Sequence, residues 1–307
     1  MRVETPFSRP GHFWRGNLHT HSSLSDGHRS PEEVCRFYET AGYDFLALTE
    51  HFLEHYGWPL VDTRPFRSAT FTTLLGAELH PAQDLMELGR HWHILAIGLP
   101  LDFAPSPLEE TGPELARRAL DAGAFVVAAH PQWHAMTDRD VTALGSIHAI
   151  EIFNASCADD NDSADSAYML DMLLARGKRL SACATDDAHF IPNTHDRTAG
   201  WVMVRSETSD PEALLVALKA GNYYSSSGPE IHDLVVEPGE RLRLRCSPAE
   251  RIFLIGGPAK YQTIGEQGIT EAEFDLRSWT SPYVRVLIRD DAGRKAWTNP
   301  VWFEEAL

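Results

Sequence analysis

Sulfur is scarce in this chain of 307 residues. The four cysteines, Cys35, Cys157, Cys183 and Cys246, are scattered without C-x-x-C spacing, which excludes a thiolate zinc site and a dense disulfide framework. Such cysteines suit a reducing compartment, and the expected location is the cytoplasm. Long apolar runs are also missing: none approaches the roughly 20 residues of a spanning helix. The opening MRVETPFSRPGHFWRG lacks the apolar core of a secretory signal. Basic residues are in deficit, with 27 Lys and Arg against 44 Asp and Glu and a formal charge of -17. A field of that sign repels phosphodiester backbones and anionic membranes, so neither duplex nucleic acid nor a membrane is an expected partner. No G-x-S-x-G elbow and no G-x-x-x-x-G-K loop occurs, so neither an elbow serine nor a phosphate-cradling loop carries the chemistry.

What is present is ordinary globular composition, 43% hydrophobic and 23% charged, with length for about two domains at roughly 150 residues each. From residue 15 to 205 short apolar runs alternate with capped amphipathic segments, the form of β-α units around a largely parallel sheet. Strands are expected at Gly16 to Leu18, Phe45 to Leu48, Phe71 to Ala77, His93 to Gly98, Phe125 to Ala129, Ile147 to Phe153, Leu180 to Ala184 and Trp201 to Val204. Ser30-Pro31-Glu32-Glu33, Thr111-Gly112-Pro113-Glu114 and Ser209-Asp210-Pro211-Glu212 read as capping boxes with a proline in the first turn. Gly42, Gly123 and Gly221 mark the matching helix ends, and a further helix over Ala164 to Arg176 closes at Gly177. The acidic stretch Asp159-Asp160-Asn161-Asp162 reads as a solvated loop. Beyond about Ile231, RLRLRC, RIFLIG and YVRVLIRD are short β-type runs parted by Gly, Pro and Ser, the signature of a small antiparallel module. The expected division is 1–229 and 230–307.

Fifteen histidines stand out, because many follow apolar runs. In parallel β/α architectures functional groups gather at the carboxyl ends of strands. Here those ends carry His19 and His21, then Glu50 and His51, Glu78, His130, and finally Asp186, Asp187 and His189. Each alone reads as a cap or a loop residue; five strands delivering imidazole or carboxylate to one rim point to divalent cations that accept N and O ligands. His19-x-His21 in an extended segment puts both imidazoles on one face, and Asp187-x-His189 repeats the spacing. His51-x-x-x-His55 lacks the H-E-x-x-H order of zinc proteases, so that reading is set aside.

At these residues the chain resembles the PHP family, the polymerase and histidinol phosphatase superfamily of metal-dependent hydrolases. The resemblance rests on NLHTHSSLSDG (Asn17 to Gly27), ALTEH ending at His51, GAE ending at Glu78, HILAIG from His93, AAHP at His130 and TDDAH ending at His189. GNYYSSSGPE (Gly221 to Glu230) and AWTNP (Ala296 to Pro300) are similar to a stand-alone, carbaryl-hydrolase-like branch with a β-rich tail. The resemblance implies a distorted seven-stranded TIM-like β/α barrel with a trinuclear centre of Zn, Mn or Fe ions. It assigns His19, His21, Glu78 and Asp187 to one ion, Asp26, His51 and His189 to a second, and His93, His130 and the shared Glu78 to a third. His28 stays open beside Asp26, and only the resemblance nominates His93.

The implied chemistry is metal-assisted hydrolysis of a small-molecule phosphate ester, with Asp187 at the reacting centre and two or three divalent ions bound. His195 and His134 are the candidate proton donors to the leaving group, and Arg197, just past the metal motif, is the candidate phosphate clamp. Asn17, Thr20 and Thr49 are the neighbours available to orient the imidazoles. Ser226 and Ser227 read as turn residues with hydroxyls a substrate could use. Trp58, Trp92, Trp133 and Tyr56 adjoin the metal motifs, and any of them lining the pocket would imply a planar or apolar substrate group. The competing reading keeps the metals and changes the bond to a carbamate, carboxylic ester or amide, which the scarcity of nearby basic residues favours. A non-catalytic metal-stabilised module is disfavoured, because no ligand position has been lost. The oligomeric state is left open.

Overall fold

The structure is a computed structural model and describes residues 2–303. Strands β1 (His12–Asn17), β2 (Phe45–Leu48), β3 (His51–Phe52), β4 (Thr72–Leu79), β5 (Ile94–Ile97) and β6 (Phe125–Ala128) come first. They are followed by β7 (Ala149–Asn154), β8 (Ser181–Thr185), β9 (Trp201–Ser206) and β10 (Tyr223–Ser226). Helices α1 (Pro31–Thr40), α2 (Gly112–Asp121), α3 (Asp138–Ala143), α4 (Ala155–Asn161), α5 (Ala167–Ala175) and α6 (Pro211–Lys219) lie between them. The chain ends in β11 (Ile231–Glu237), β12 (Arg241–Ile255), β13 (Tyr261–Asp275), β14 (Tyr283–Arg289), β15 (Lys295–Thr298) and β16 (Val301–Trp302).

One mixed sheet runs β11-β12-β14-β15-β10-β9-β1-β2-β4-β5-β6-β7-β8, with β13, β16 and β3 attached to β12, β14 and β4. All eight expected strands are present, but the sheet is less parallel than expected: β5 is antiparallel to both β4 and β6, and β9 is antiparallel to β1. Direction is invisible in a buried apolar run, whose side-chain pattern is the same either way. The expected closed barrel is not formed as a ladder, since the sheet path ends at β8. Contact between its end and β1 is one parallel bridge, Thr20 to Ala188. The sheet nonetheless curls. Leu18, Phe45, Leu95, Phe125, Ala149, Cys183 and Val202 share one core cluster. The alternate residues Ile94, Ala96, Val126 and Ala128 pack outward against α2 and α5, where Leu115 and Leu173 are buried. Apolar contact on both faces is why these strands read as continuous hydrophobic runs. Gly16 is required for close approach, because a Cβ there would lie 2.1 Å from the Phe45 ring.

The boxes of α1 and α2 form as read: Ser30 and Thr111 accept the Glu33 and Glu114 N–H groups, and both glutamates reach back. The third box does not form. Asp210 is the N-cap of α6, and its carboxylate instead accepts the Thr208 hydroxyl at 2.8 Å. Gly42, Gly123, Gly177 and Gly221 all lie in the left-handed region just past a helix. The acidic stretch expected as a loop closes α4, with Asp162 at φ 62°, and the expected helix from Ala164 starts only at Ala167.

The C-terminal strands are antiparallel throughout, with their own core around Val236, Leu244, Ile252, Leu254, Phe274 and Val286. RLRLRC and RIFLIG are one strand, not two: β12 passes through Pro248 by shifting register between Arg245 and Arg251. A bulge absorbs the residue that lacks an N–H.

Candidate metal centre

The residues at the strand ends converge at one end of the sheet. His19 and His21 leave β1 on either side of the Thr20 bridge, pinned by Asp187 N–H to His19 O and His21 N–H to Ala188 O, both 2.9 Å. Glu78 sits within β4, opposite His51 of β3 and Leu95 of β5. His93 precedes β5, and His130 and Asp187 follow β6 and β8 with φ of 28° and 53°. Left-handed backbone at two non-glycine residues is strain of the kind found at functional sites, and here it turns the chain so that both side chains face inward.

Glu78 is the hub. Its Oε1 lies 2.7 Å from His93 Nδ1 and 3.2 Å from His130 Nε2; its Oε2 lies 2.7 Å from His51 Nδ1, 3.5 Å from His19 Nε2 and 3.6 Å from His21 Nε2. Asp187 Oδ1 lies 3.1 Å from His19 Nε2 and 3.0 Å from His21 Nε2. Asp26 lies 3.3 Å from His51 Nε2 and 3.5 Å from His189 Nε2. The structure thus gathers all nine residues nominated as ligands. Four atoms test whether cations fit: His19 Nε2, His21 Nε2, Glu78 Oε2 and Asp187 Oδ1 are buried and have no hydrogen-bond partner. Atoms ligating one ion tetrahedrally at about 2.1 Å are about 3.4 Å apart, close to the separations between these imidazoles and carboxylates. Buried polar atoms in native proteins are nearly always paired, so four convergent orphans indicate a missing partner that accepts lone pairs.

The electrostatics agree. Burial opposes ionisation of Glu78 and Asp187, yet the surrounding imidazoles, His93, His51 and His19 for the first, His19 and His21 for the second, hold both carboxyls well below their usual range. Burial likewise disfavours charge on His51 and His189, but Glu78 and Asp26 push His51 up to about 10, and Asp26 and Asp187 push His189 up to about 9. Burial brings His21 down to about 4 and His93 to about 3. The carboxylates are held ionised by protons on neighbouring imidazoles, and those protons are what a divalent cation displaces.

A second set of groups fixes the first. Glu151, buried in β7, accepts His19 Nδ1–H and the Thr185 hydroxyl at 2.7 Å through Oε1, and the His130 N–H at 2.7 Å through Oε2. With Nδ1 donating, the lone pair of His19 is on Nε2 and faces the cluster. Asn154 donates to Asp187 Oδ2 at 3.0 Å. Asp186 and Glu50, both at strand ends, are turned away. Asp186 accepts the Tyr38 hydroxyl and the N–H groups of Thr198, Ala199 and Gly200, with burial raising its pKa to about 6. Glu50 accepts the hydroxyls of Ser22 and Ser25. Asn17 and Thr49 brace backbone: Asn17 donates to His19 O at 2.9 Å, and Thr49 accepts the Thr20 N–H at 3.1 Å.

Sequence reasoning missed Glu151 and His80. A lone carboxylate inside the apolar strand AIEIF was the available signal for the first. For the second it was spacing, since Glu78-x-His80 repeats the pattern of His19-x-His21 and Asp187-x-His189. His80 is buried, with Nε2 2.9 Å from His51 Nδ1.

The substrate-side residues divide. A cavity of about 250 Å³ is lined by Asp26, His51, His93, His130, Asp187 and His189, together with Trp133, Ser156, Cys157, Asp160 and Ile191. His195 and Arg197 do not line it. The His195 side chain is 89% exposed beside Asp159, and the Arg197 guanidinium is held by Thr194 O and the Asp196 carboxylate, so the loop itself consumes the cation expected to clamp phosphate. His134 does join the cluster, its ring 4.0 Å from that of His93, and burial lowers its pKa to about 3. His28 is exposed, Ser226 bonds within its turn to Pro229 O, the Ser227 hydroxyl donates to Lys295 O of β15, and Trp92 is buried with its indole donating to Asp84. Trp133, 38% exposed, is the tryptophan that lines the cavity.

No protein-family model and no curated protein sequence matches the chain. Among solved structures it is similar to a two-domain protein from Bacteroides vulgatus containing a predicted PHP-like metal-dependent phosphoesterase. Identity is 16% and the TM-score 0.54, covering 98% of this chain and 99% of that one. A Bifidobacterium adolescentis protein provisionally described as a metal-dependent phosphoesterase shows 13% identity and a TM-score of 0.40 over 58% of this chain and 89% of its own. An amidohydrolase from Chromobacterium violaceum with bound sulfate and no metal shows 17% identity and a TM-score of 0.43 over 57% and 87%. Over nearly its whole length, the chain has the fold of the two-domain, PHP-like Bacteroides protein.

Proposed function

We propose that this chain is a metal-dependent hydrolase that cleaves a small-molecule phosphate mono- or diester. Two or three divalent ions, Zn, Mn or Fe, would be held by His19, His21, Asp26, His51, Glu78, His93, His130, Asp187 and His189. The observation that carries the reading is the set of four buried, unpartnered ligand atoms on His19, His21, Glu78 and Asp187. When bound, such ions polarise the oxygens of the electrophile and generate a hydroxide at neutral pH. The protein's own part is positional. Glu151 keeps the His19 lone pair inward, Asn154 holds one Asp187 oxygen so that Oδ1 faces the centre, and Asp187 is the carboxylate placed to take up a released proton. His134, packed on His93, is held neutral by burial and does not line the cavity, so neither it nor the exposed His195 is the proton donor to the leaving group. Trp133 and Ile191 at the cavity wall favour a substrate with an apolar, planar part. Every residue of this proposed centre falls within 1–229, and among the described residues none comes from beyond 229.

A second reading is favoured by one feature: no lysine or arginine lines the cavity among the described residues. A dianionic phosphate would then rely on the ions alone, whereas a carbamate, carboxylic ester or amide needs no further cation. The deciding experiment is elemental analysis of the purified protein alongside hydrolysis of p-nitrophenyl phosphate, bis-p-nitrophenyl phosphate and p-nitrophenyl acetate with added Mn²⁺ or Zn²⁺. Two or three ions per chain with turnover of a phosphate ester supports the first reading. Ions with acetate turnover alone supports the second, and fewer than one ion per chain overturns both.

A further inference from the structure

We propose that His80 is a positioning residue that sets the tautomer of His51 and thereby aims the His51 lone pair at the ion shared with Asp26 and His189; the inference rests on the metal-centre reading above. His80 Nδ1 lies 2.8 Å from Trp92 O. A carbonyl oxygen only accepts, so Nδ1 carries the proton and Nε2 the lone pair. That lone pair lies 2.9 Å from His51 Nδ1, which must therefore donate. With one proton fixed on Nδ1, His51 keeps Nε2, 3.3 Å from Asp26 Oδ2, as the nitrogen that becomes the ligand once a cation displaces its second proton. A backbone carbonyl, fixed by its place in the chain, thus dictates the protonation pattern of two imidazoles in series.

Glu78 Oε2, 2.7 Å from His51 Nδ1, is the competing acceptor. It counts among the buried atoms without a hydrogen bond, because the N–H is not directed at it. His80 is thus the aligned acceptor, and Glu78 Oε2 remains free for an ion together with His19 and His21. His80 is 3% exposed, so water does not compete for its lone pair. Trp92, which supplies the carbonyl, is itself locked by its indole N–H on Asp84 Oδ2 at 2.8 Å.

The test compares native protein with His80→Gln, whose amide oxygen can still accept from His51, and His80→Phe, which fills the space without accepting. Calorimetric titration of chelator-stripped protein with Zn²⁺ should show one ion of the set bound 10- to 100-fold more weakly in His80→Phe, with His80→Gln recovering most of the loss. Long-range ¹H–¹⁵N correlation spectra of the histidines should place the proton of His80 on Nδ1 both with and without Zn²⁺. Near-ultraviolet circular dichroism checks that each variant is folded; should His80→Phe fail that check, the spectra of the native protein decide alone. A metal-bound shift at His80 Nε2, or loss of one whole ion in both variants, would make His80 a ligand and overturn the proposal. Unchanged Zn²⁺ affinity in His80→Phe would also overturn it. If native protein takes up no Zn²⁺, the metal-centre reading itself fails, an outcome separate from any change in the variants.

Discussion

Around Glu78 the molecule buries His19, His21, His80, His130, His134, Glu151 and Asp187; around Ile252 it buries Val236, Leu244, Leu254, Phe274, Val286 and Ile288. The first group leaves ligand atoms without partners, on His19, His21, Glu78, His130, His134 and Asp187. In the C-terminal strands charge is mostly kept at the surface, and the buried Arg285 guanidinium meets both oxygens of Asp171, at 2.7 and 2.6 Å, leaving only its Nη1 and the Arg243 Nε as scattered unpartnered atoms of a charged group there among the described residues. Apolar burial stabilises at about 25 cal/mol per Å², whereas unpartnered buried polar atoms destabilise. The two regions share one continuous sheet, so the C-terminal core lends rigidity to a centre that does not stabilise itself.

The sharpest way to break this contrast is Glu78→Gln, which removes the charge at the hub. Metal content should fall by at least one ion per chain by elemental analysis, and turnover should drop about 10³-fold or more, the size of effect expected from several kcal/mol of metal-ion catalysis. The converse is Ile252→Ala in the C-terminal core, which should destabilise by about 2–5 kcal/mol in denaturant titration, with ion content per folded chain unchanged. Parallel loss of metal in that variant would show that the two regions are not energetically distinct.

Acidity offers a smaller handle. The pKa values of His51 and His189 are raised, to about 10 and about 9, in protein without metal. Raised imidazole pKa values add stability that is complete below their ordinary value near 6.5 and lost as pH rises through the raised values. Thermal unfolding of chelator-treated protein should therefore occur at lower temperature at pH 9.5 than at pH 6.5, while Zn²⁺ affinity, which competes with those protons, should rise over the same interval. The smallest effect belongs to the cavity wall. Trp133→Ala should raise KM for an aryl ester by about two- to tenfold, with kcat and ion content nearly unchanged, because an aromatic contact is worth about 0.5–1.5 kcal/mol. Equal KM values for aryl and alkyl esters in the native protein would remove Trp133 from substrate recognition.

Much of this centre was legible because its groups sit at the ends of apolar runs, where a polar residue is conspicuous. Glu78 after TTLLGA, His130 after FVVAA and Asp187 after LSACAT needed no structure to be noticed. His93 escaped that logic because β5 runs antiparallel to its neighbours, so its amino-terminal end lies where theirs are carboxyl-terminal. His80 and Glu151 carry a signal of spacing and of polarity in the sequence, but not their roles, which depend on contacts with Trp92, 12 residues away, and His19, 132 residues away. Arg197 misled because sequence shows that a cation is near, not that carbonyls of its own loop already hold it. The end of α4 reads as loop in the sequence because Asp159, Asp160 and Asn161 carry no apolar period.

Trp297, on β15, is buried in the core cluster of Ile150, Leu173 and Ala182, far back in the chain. Two residues on, Asn299 accepts the Ala182 N–H at 2.9 Å and donates to Gly221 O and Tyr223 O at 3.1 and 3.0 Å. The last strands are therefore stitched through the body that carries the histidines, not hung from it. A lineage of such proteins cannot trade this tail as a cassette: any replacement must bring its own tryptophan plug and amide clasp, so the tail and the body that carries the histidines are bound to change together.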